Sequence, residues 1–292
     1  MTKLAELPSS LDWLRRTERG RRWRASVPAL ATECAEHWNL SLGEPFPCAY
    51  VSVPLAATLA DGTPVVLKLQ FPDRETKHEA EALRRWDGEG AIRLLDHDEA
   101  RNALLLERCV PGTPLASAGE DAALDAFVAL LPRLWRPAAE PFGTLADEAA
   151  WWAGGLPSAW QEAGRPFPRV LLDAALDALR TLPATQRGEV LLHQDLHAGN
   201  VLRAEREPWL VIDPKPLVGE REFGVAPIVR SFELARGRTH VLYRFDRLTA
   251  ELGLDRERAR LWALAQTVAW AIGSDHLARH VETATWLREA GR

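Results

Sequence analysis

Three oxygen-bearing side chains in the second half of the chain define a chemistry. The segment LLHQDLHAGNVL, Leu191 to Leu202, holds Asp195 and Asn200 in a D-x-x-x-x-N spacing, and the apolar run WLVI, Trp209 to Ile212, ends just before Asp213. In-line phosphoryl transfer needs an acceptor hydroxyl held against the γ-phosphate, a group to take its proton, and a hard cation to neutralise the β- and γ-oxygens. Asp195 suits the role of catalytic base. Mg²⁺ prefers oxygen ligands and keeps waters, so an amide oxygen from Asn200 and a carboxylate from Asp213 would suffice if ATP supplies the remaining contacts.

Upstream, Lys68 lies within the apolar run PVVLKL, Pro64 to Leu69. An ammonium buried without a partner is costly, so it needs a nearby carboxylate, and Glu79 on the next helix is the obvious one. Lys68 would then reach the α- and β-phosphates of ATP while Glu79 fixes its position. The order Lys, Glu, hinge, Asp, Asn, Asp is that of a kinase. His193 and His197 read as structural, with His193 ordering the loop by hydrogen bonding. Lys215 either neutralises phosphate charge or is solvated.

The elements that must position these residues follow from periodicity. Leu4, Leu7, Leu11 and Leu14, and then Val27, Leu30, Cys34 and Trp38, recur at helical spacing, so the chain opens helically. From Phe46 the texture is β-rich, and the turn signal at Ala60 to Gly62 predicts a hairpin whose second strand carries Lys68. Glu79, Leu83 and Trp86 then fall on one helix face. The runs AIRLL, Ala91 to Leu95, and ALLLE, Ala103 to Glu107, read as a second hairpin. Pro and Gly in RCVPGTP, Arg108 to Pro114, break the pattern, and the following sequence is largely helical up to Arg180. Leu261, Leu264, Val268 and Ile272 close the chain as another amphipathic helix. The fold class is α+β and two-lobed: residues 1–109 form an N-lobe with N-terminal helices and an antiparallel sheet with one inserted helix, and residues 110–292 form a mainly helical C-lobe.

Composition narrows the partners. A chain of 292 residues, 47% hydrophobic and 26% charged, can bury one large core or two lobes. A net charge of −5 gives no global basic field for nucleic acid or an acidic membrane. No window approaches the roughly 18 apolar residues of a membrane span, and the first residues lack the apolar run of a signal peptide, so a cytoplasmic location is expected. The three cysteines, Cys34, Cys48 and Cys109, are too few and too scattered for a disulfide framework or a metal cluster. Twelve Trp against two Tyr is unusual, and pairs such as Trp151 and Trp152 read as core anchors or a stacking surface.

LLHQDLHAGNVL followed by VIDPKPLVGEREF resembles the aminoglycoside and hydroxyurea antibiotic resistance kinases, in particular the streptomycin 6-phosphotransferases, and the likeness extends over WDGEGAIRLLDHD and LLLERCVPGTPL. The resemblance implies a protein-kinase-like fold that binds ATP between its lobes, with an aminocyclitol or similar hydroxylated compound as acceptor. Lys68, Glu79, Asp195, Asn200 and Asp213 match family positions, and Glu107 and Cys109 match the hinge whose backbone groups would bind adenine. Two departures stand out: Gln194 replaces the usual catalytic-loop glycine, and the phosphate-covering loop near Phe46 to Ser52 contains no glycine.

About ten residues separate Asp213 from the next expected helix near Phe223, too few for the activation segment of a regulated protein kinase, so a small-molecule acceptor is favoured. That acceptor is an aminoglycoside such as streptomycin or, alternatively, a sugar, amino sugar or hydroxyurea-like metabolite. Glu220, Glu222, Glu233 and Asp275 are carboxylates that either bind its cationic groups or lie on the surface as ordinary charge. A metal-dependent hydrolase using His193, Asp195 and His197 is a remote alternative that leaves Lys68, Glu79 and Asp213 unexplained. A pseudokinase is another, motivated by Gln194 and the glycine-free loop.

Overall fold

The computed structural model describes residues 7–47 and 50–291. Leu4, expected on the opening helix, and Cys48, in the β-rich stretch, lie outside the described residues. The chain forms two compact units, Met1–Gly112 and Thr113–Arg292.

In the first unit a 3-10 run, Ser9–Arg16, leads into α1 (Glu18–His37), whose N-terminus is capped by the Thr17 hydroxyl accepting from the Gly20 N–H at 3.0 Å. Five antiparallel strands follow: β1 (Ser41–Pro45), β2 (Ser52–Thr58), β3 (Pro64–Gln70), β4 (Leu94–Asp98) and β5 (Ala103–Glu107), in the order β1-β2-β3-β5-β4. Helix α2 (Glu79–Trp86) is inserted between β3 and β4. Side chains alternate along β3, so Val65, Leu67 and Leu69 join the core under Leu11, Leu14, Val27, Ala31 and Cys34. Lys68 and Gln70 therefore face the other side of the sheet, and both reach Glu79 on α2.

Two strand expectations shift. The apolar run Ala91 to Leu95 is not the strand; β4 starts at Leu94 and runs through polar Asp96, His97 and Asp98. Ala91 and Ile92 are buried in the turn region that follows positive-φ Asp87, Gly88 and Gly90. β4 is an edge strand, and an edge tolerates polar residues because one side of it is unpaired. β1, with the sequence SLGEP, carries no strand signal and forms by pairing with β2.

A short strand, β6 (Pro111–Pro114), spans the division between the units. The second unit contains α3 (Glu120–Leu134), β7 (Gly143–Thr144), α4 (Leu145–Glu162), α5 (Arg169–Thr181), β8 (Val190–His193), β9 (Val201–Ala204), β10 (Trp209–Val211) and β11 (Pro216–Gly219). It closes with α6 (Ala226–Val229), α7 (Arg238–Glu251), α8 (Arg256–Ala269) and α9 (Leu277–Glu289). Phe223 anchors its core edge-on to Trp262 at 5.6 Å and stacked on Trp152 at 6.2 Å, whereas Trp151 is exposed. Among the described residues no helix is long and apolar enough to cross a membrane.

Candidate active site

Two strand pairings in the second unit assemble residues that are distant in sequence. β9 and β10 form an antiparallel hairpin with Val201 opposite Val211, and the Ile212 N–H donates to the Asn200 carbonyl at 2.9 Å. Asp213 is the next residue, so the hairpin returns it beside Asn200. β11 lies antiparallel to β8 with Pro216 opposite His193, and the Gln194 N–H donates to the Lys215 carbonyl at 3.0 Å. That ladder lays Lys215 over Asp195.

Asp195 is gripped at both oxygens. Lys215 Nζ stands 3.1 Å from Oδ2 and Arg230 Nη2 stands 3.1 Å from Oδ1. Burial alone would raise its pKa, but Lys215, His197 and Arg230 outweigh it and hold the carboxyl well below the usual carboxylate range. Both cations also lie on Trp270, Lys215 Nζ at 5.1 Å and the Arg230 guanidinium at 4.3 Å from the ring centroid.

His193 does order the loop. The Asp195 N–H donates to His193 Nδ1 at 3.2 Å, so the ring hydrogen is on Nε2, which donates to the Ile212 carbonyl at 3.0 Å. Burial pushes this imidazole down to about 4, and it is neutral. His197 behaves oppositely. Burial would lower its pKa, but the hydrogen bond to Glu233 and the charge of Asp195 raise it. Its Nδ1 lies 3.0 Å from Glu233, and the Gly199 N–H donates to the same carboxylate at 2.8 Å. A Cβ at Gly199 would meet the Glu233 carboxylate, so a larger residue there would displace the group that holds His197.

The Asn200 amide nitrogen donates to the Asp195 carbonyl at 2.9 Å. This fixes the amide so that its oxygen is the end presented to a ligand, as coordination of a hard cation requires. Asp213 has φ of 54°, a left-handed conformation uncommon for a residue with a Cβ and often found at functional sites. The donor set, one amide oxygen and one carboxylate, fits Mg²⁺ that keeps water and phosphate ligands.

In the first unit, Lys68 Nζ donates to both oxygens of Glu79 at 2.7 and 2.6 Å, and Gln70 Nε2 donates to Oε2 at 2.6 Å. The Lys68 and Glu79 side chains are 6% and 1% exposed, so the ion pair is buried. Glu107 ends β5; its N–H donates to the Arg93 carbonyl at 3.0 Å and its carboxylate accepts from the Arg93 N–H at 2.9 Å. Cys109 is buried.

Several expectations need correction. Glu220 is 1% exposed and is bound by Arg258 through two hydrogen bonds of 2.8 Å and by the Trp262 indole N–H, so it supports the fold and has no place in an acceptor site. Glu222 is also buried, 3.9 Å from Arg221 and 3.5 Å from the Asp255 N–H. Glu233 is exposed but is tied to His197 and Gly199, whereas Asp275 is simply exposed. The hydrolase alternative fails geometrically: both His193 nitrogens are engaged by backbone, and among the described residues no group of three or more His, Cys, Asp and Glu could hold a metal ion. Arg230 was not anticipated. The signal was present, because a lone cation inside VAPIVRSF needs a buried partner by the argument that joined Lys68 to Glu79.

Comparisons with known proteins identify the family and the fold. The family model for aminoglycoside/hydroxyurea antibiotic resistance kinases matches residues 37–278. The chain is 39% identical over 287 residues to a streptomycin 6-kinase of Streptomyces glaucescens, covering 93% of this chain and 92% of that one. It is 41% identical over 254 residues to a hydroxyurea phosphotransferase of Kitasatospora aureofaciens, covering 85% and 73%. Among solved structures, choline kinase LicA of Streptococcus pneumoniae superposes with a TM-score of 0.62 at 13% identity over 89% of this chain and 98% of that one, a likeness of fold alone. The fold is thus the two-lobed protein-kinase-like fold, with its antiparallel sheet and helical second unit. The chain belongs to the aminoglycoside/hydroxyurea antibiotic resistance kinases, phosphotransferases that act on small molecules.

Proposed function

We propose that the chain transfers the γ-phosphate of ATP, with Mg²⁺, to a hydroxyl of streptomycin or a related aminocyclitol. The observation that carries the chemistry is the Asp195 loop: a carboxylate kept ionised by Lys215 and Arg230, with Asn200 and Asp213 brought together by the β9–β10 hairpin. The choice of acceptor rests on the likeness to streptomycin 6-kinase over most of both chains.

In this mechanism Asp195 accepts a hydrogen bond from the acceptor hydroxyl and aims its oxygen at the γ-phosphorus. The new O–P bond forms as the bridging bond to ADP breaks, and the hydroxyl proton passes to Asp195 and then to solvent. A carboxyl held below its usual range is a weak base, which suits a loose transition state that needs alignment more than early deprotonation. Asn200 and Asp213 would hold Mg²⁺, which would supply charge neutralisation at the phosphate oxygens. Lys68, fixed by Glu79, which Gln70 holds in turn, contacts the α- and β-phosphates. Glu107 and Cys109 offer hinge backbone groups to adenine.

Hydroxyurea is the second reading, favoured by the 41% identity to the hydroxyurea phosphotransferase. Coupled ADP release with Mg-ATP decides between them on a panel of streptomycin, other aminoglycosides, hydroxyurea, amino sugars and simple sugars. Turnover with streptomycin, lost in Asp195→Ala, supports the first reading. Turnover with hydroxyurea alone moves the assignment to the second, and silence across the panel refutes both.

A further inference from the structure

Arg230 directly follows α6 and is 8% exposed. Its guanidinium is held by three contacts: its Cζ lies over the Trp270 ring, 4.3 Å from the centroid, Nε faces Gln266 Oε1 at 3.4 Å, and Nη2 meets Asp195 Oδ1 at 3.1 Å. Gln266, on α8, is fully buried, and its amide nitrogen donates to the Gln194 carbonyl at 2.8 Å. One glutamine thus ties Arg230 to the residue preceding Asp195. Gln194 is further fixed by its side chain, which donates to Glu148 on α4 at 3.0 Å, and by its N–H on the Lys215 carbonyl at 3.0 Å. Where glycine was expected in the loop, Gln194 anchors it to α4, α8 and the residue preceding β11.

The carboxylate torsion of an aspartate is broad and two-fold, so its own rotamer does not fix the plane of its oxygens. Lys215 contributes a rotatable point charge that attracts Oδ2 without defining a plane. Arg230 contributes a rigid fork already oriented by Gln266 and Trp270. We infer that Arg230 is a positioning residue for phosphoryl transfer: held by Gln266 and Trp270, it sets the orientation of the Asp195 carboxylate that receives the acceptor hydroxyl. This rests on the reading of Asp195 as the hydroxyl-accepting group.

The test uses the full chain with whichever acceptor the panel identifies, and compares wild type, Arg230→Ala, Arg230→Lys, Lys215→Ala and Gln266→Met. Misplacing a reacting group by about 1 Å costs on the order of 100-fold, so Arg230→Ala is expected to lower kcat by about 100-fold and to change the KM for ATP by less than about twofold. Arg230→Lys keeps the charge but not the fork, and recovers only part of the loss. Guanidinium chloride at tens of millimolar, added to Arg230→Ala, refills the position over Trp270 and raises kcat, but does nothing for Lys215→Ala. Gln266→Met, which lies outside the reacting groups, lowers kcat about tenfold with ATP binding intact, and carries the test if Arg230→Ala does not fold. A folded Arg230→Ala or Gln266→Met with wild-type kcat overturns the inference and leaves the proposed function standing. So does a loss in Arg230→Ala that guanidinium does not restore and that tracks a lowered Tm. Wild type without turnover on any acceptor overturns both.

Discussion

The Lys68–Glu79 pair allows the argument from burial to be tested quantitatively. Both side chains are almost wholly enclosed, at 6% and 1% exposure, so neither charge survives loss of the other without penalty. Lys68→Met removes both ammonium hydrogen bonds from the buried Glu79 carboxylate, and Glu79→Leu removes that carboxylate from both the Lys68 ammonium and the Gln70 amide. Each single change is expected to cost about 3–5 kcal/mol. The double variant replaces both charges by apolar groups of similar length and leaves chiefly the Gln70 amide unsatisfied, for a loss of about 1–3 kcal/mol. The cycle therefore predicts coupling of at least about 3 kcal/mol, read by urea unfolding followed through tryptophan fluorescence, with buried Trp86 reporting from α2. Nucleotide binding separates the structural from the functional role: the double variant regains stability but not ATP affinity, because no ammonium remains for the phosphates. Single losses that simply add, with coupling below about 0.5 kcal/mol, would refute the reasoning.

Three further outcomes are expected. Asp195→Ala lowers turnover by about 10²- to 10⁴-fold with ATP binding retained, whereas Asp213→Ala also weakens Mg-nucleotide binding in calorimetric titration; equal, wild-type-like rates in both contradict the assignment. Stability falls as pH drops from about 6.5 to 4, because burial holds His193 down to about 4 and His280 to about 3 while the unfolded chain protonates near 6.5. Each ring contributes a loss of about 3 kcal/mol or more when fully titrated; His197, whose pKa is raised, works the other way, its contribution present at low pH and lost as pH rises. The check is the urea midpoint across this range, where His280→Phe flattens the slope and an unchanged wild-type midpoint refutes the expectation. Glu220→Gln destabilises by about 3 kcal/mol by leaving Arg258 without its carboxylate, seen as a lower Tm, with the acceptor KM unchanged; a raised KM at unchanged Tm would return Glu220 to the acceptor site.

The residues that carry chemistry were legible because each obeys a local rule. A lysine in an apolar strand demands a carboxylate, and Glu79 lies on the helix face shared with Leu83 and Trp86, so the pair could be read before its 2.6 Å contact was seen. β5 and the helical second unit were equally readable, since their apolar residues repeat at the period of the element. β1 and β4 were not, because an edge strand is selected by the neighbour it pairs with and needs no apolar pattern of its own.

The sequence by itself determined strands β2, β3, β5 and β10 and helix α2, the order of the ionisable groups along the chain and the reaction class those groups suit. Tertiary structure decided which charges meet. Lys215 and Arg230 converge on Asp195 because β11 pairs with β8 and because α6 packs where it does, and Glu220 is turned into the core by Arg258 and Trp262. No local pattern distinguishes those carboxylates, since pairing between residues distant in sequence depends on which surfaces the folded backbone brings within a hydrogen bond of each other, and burial then makes the pairing obligatory.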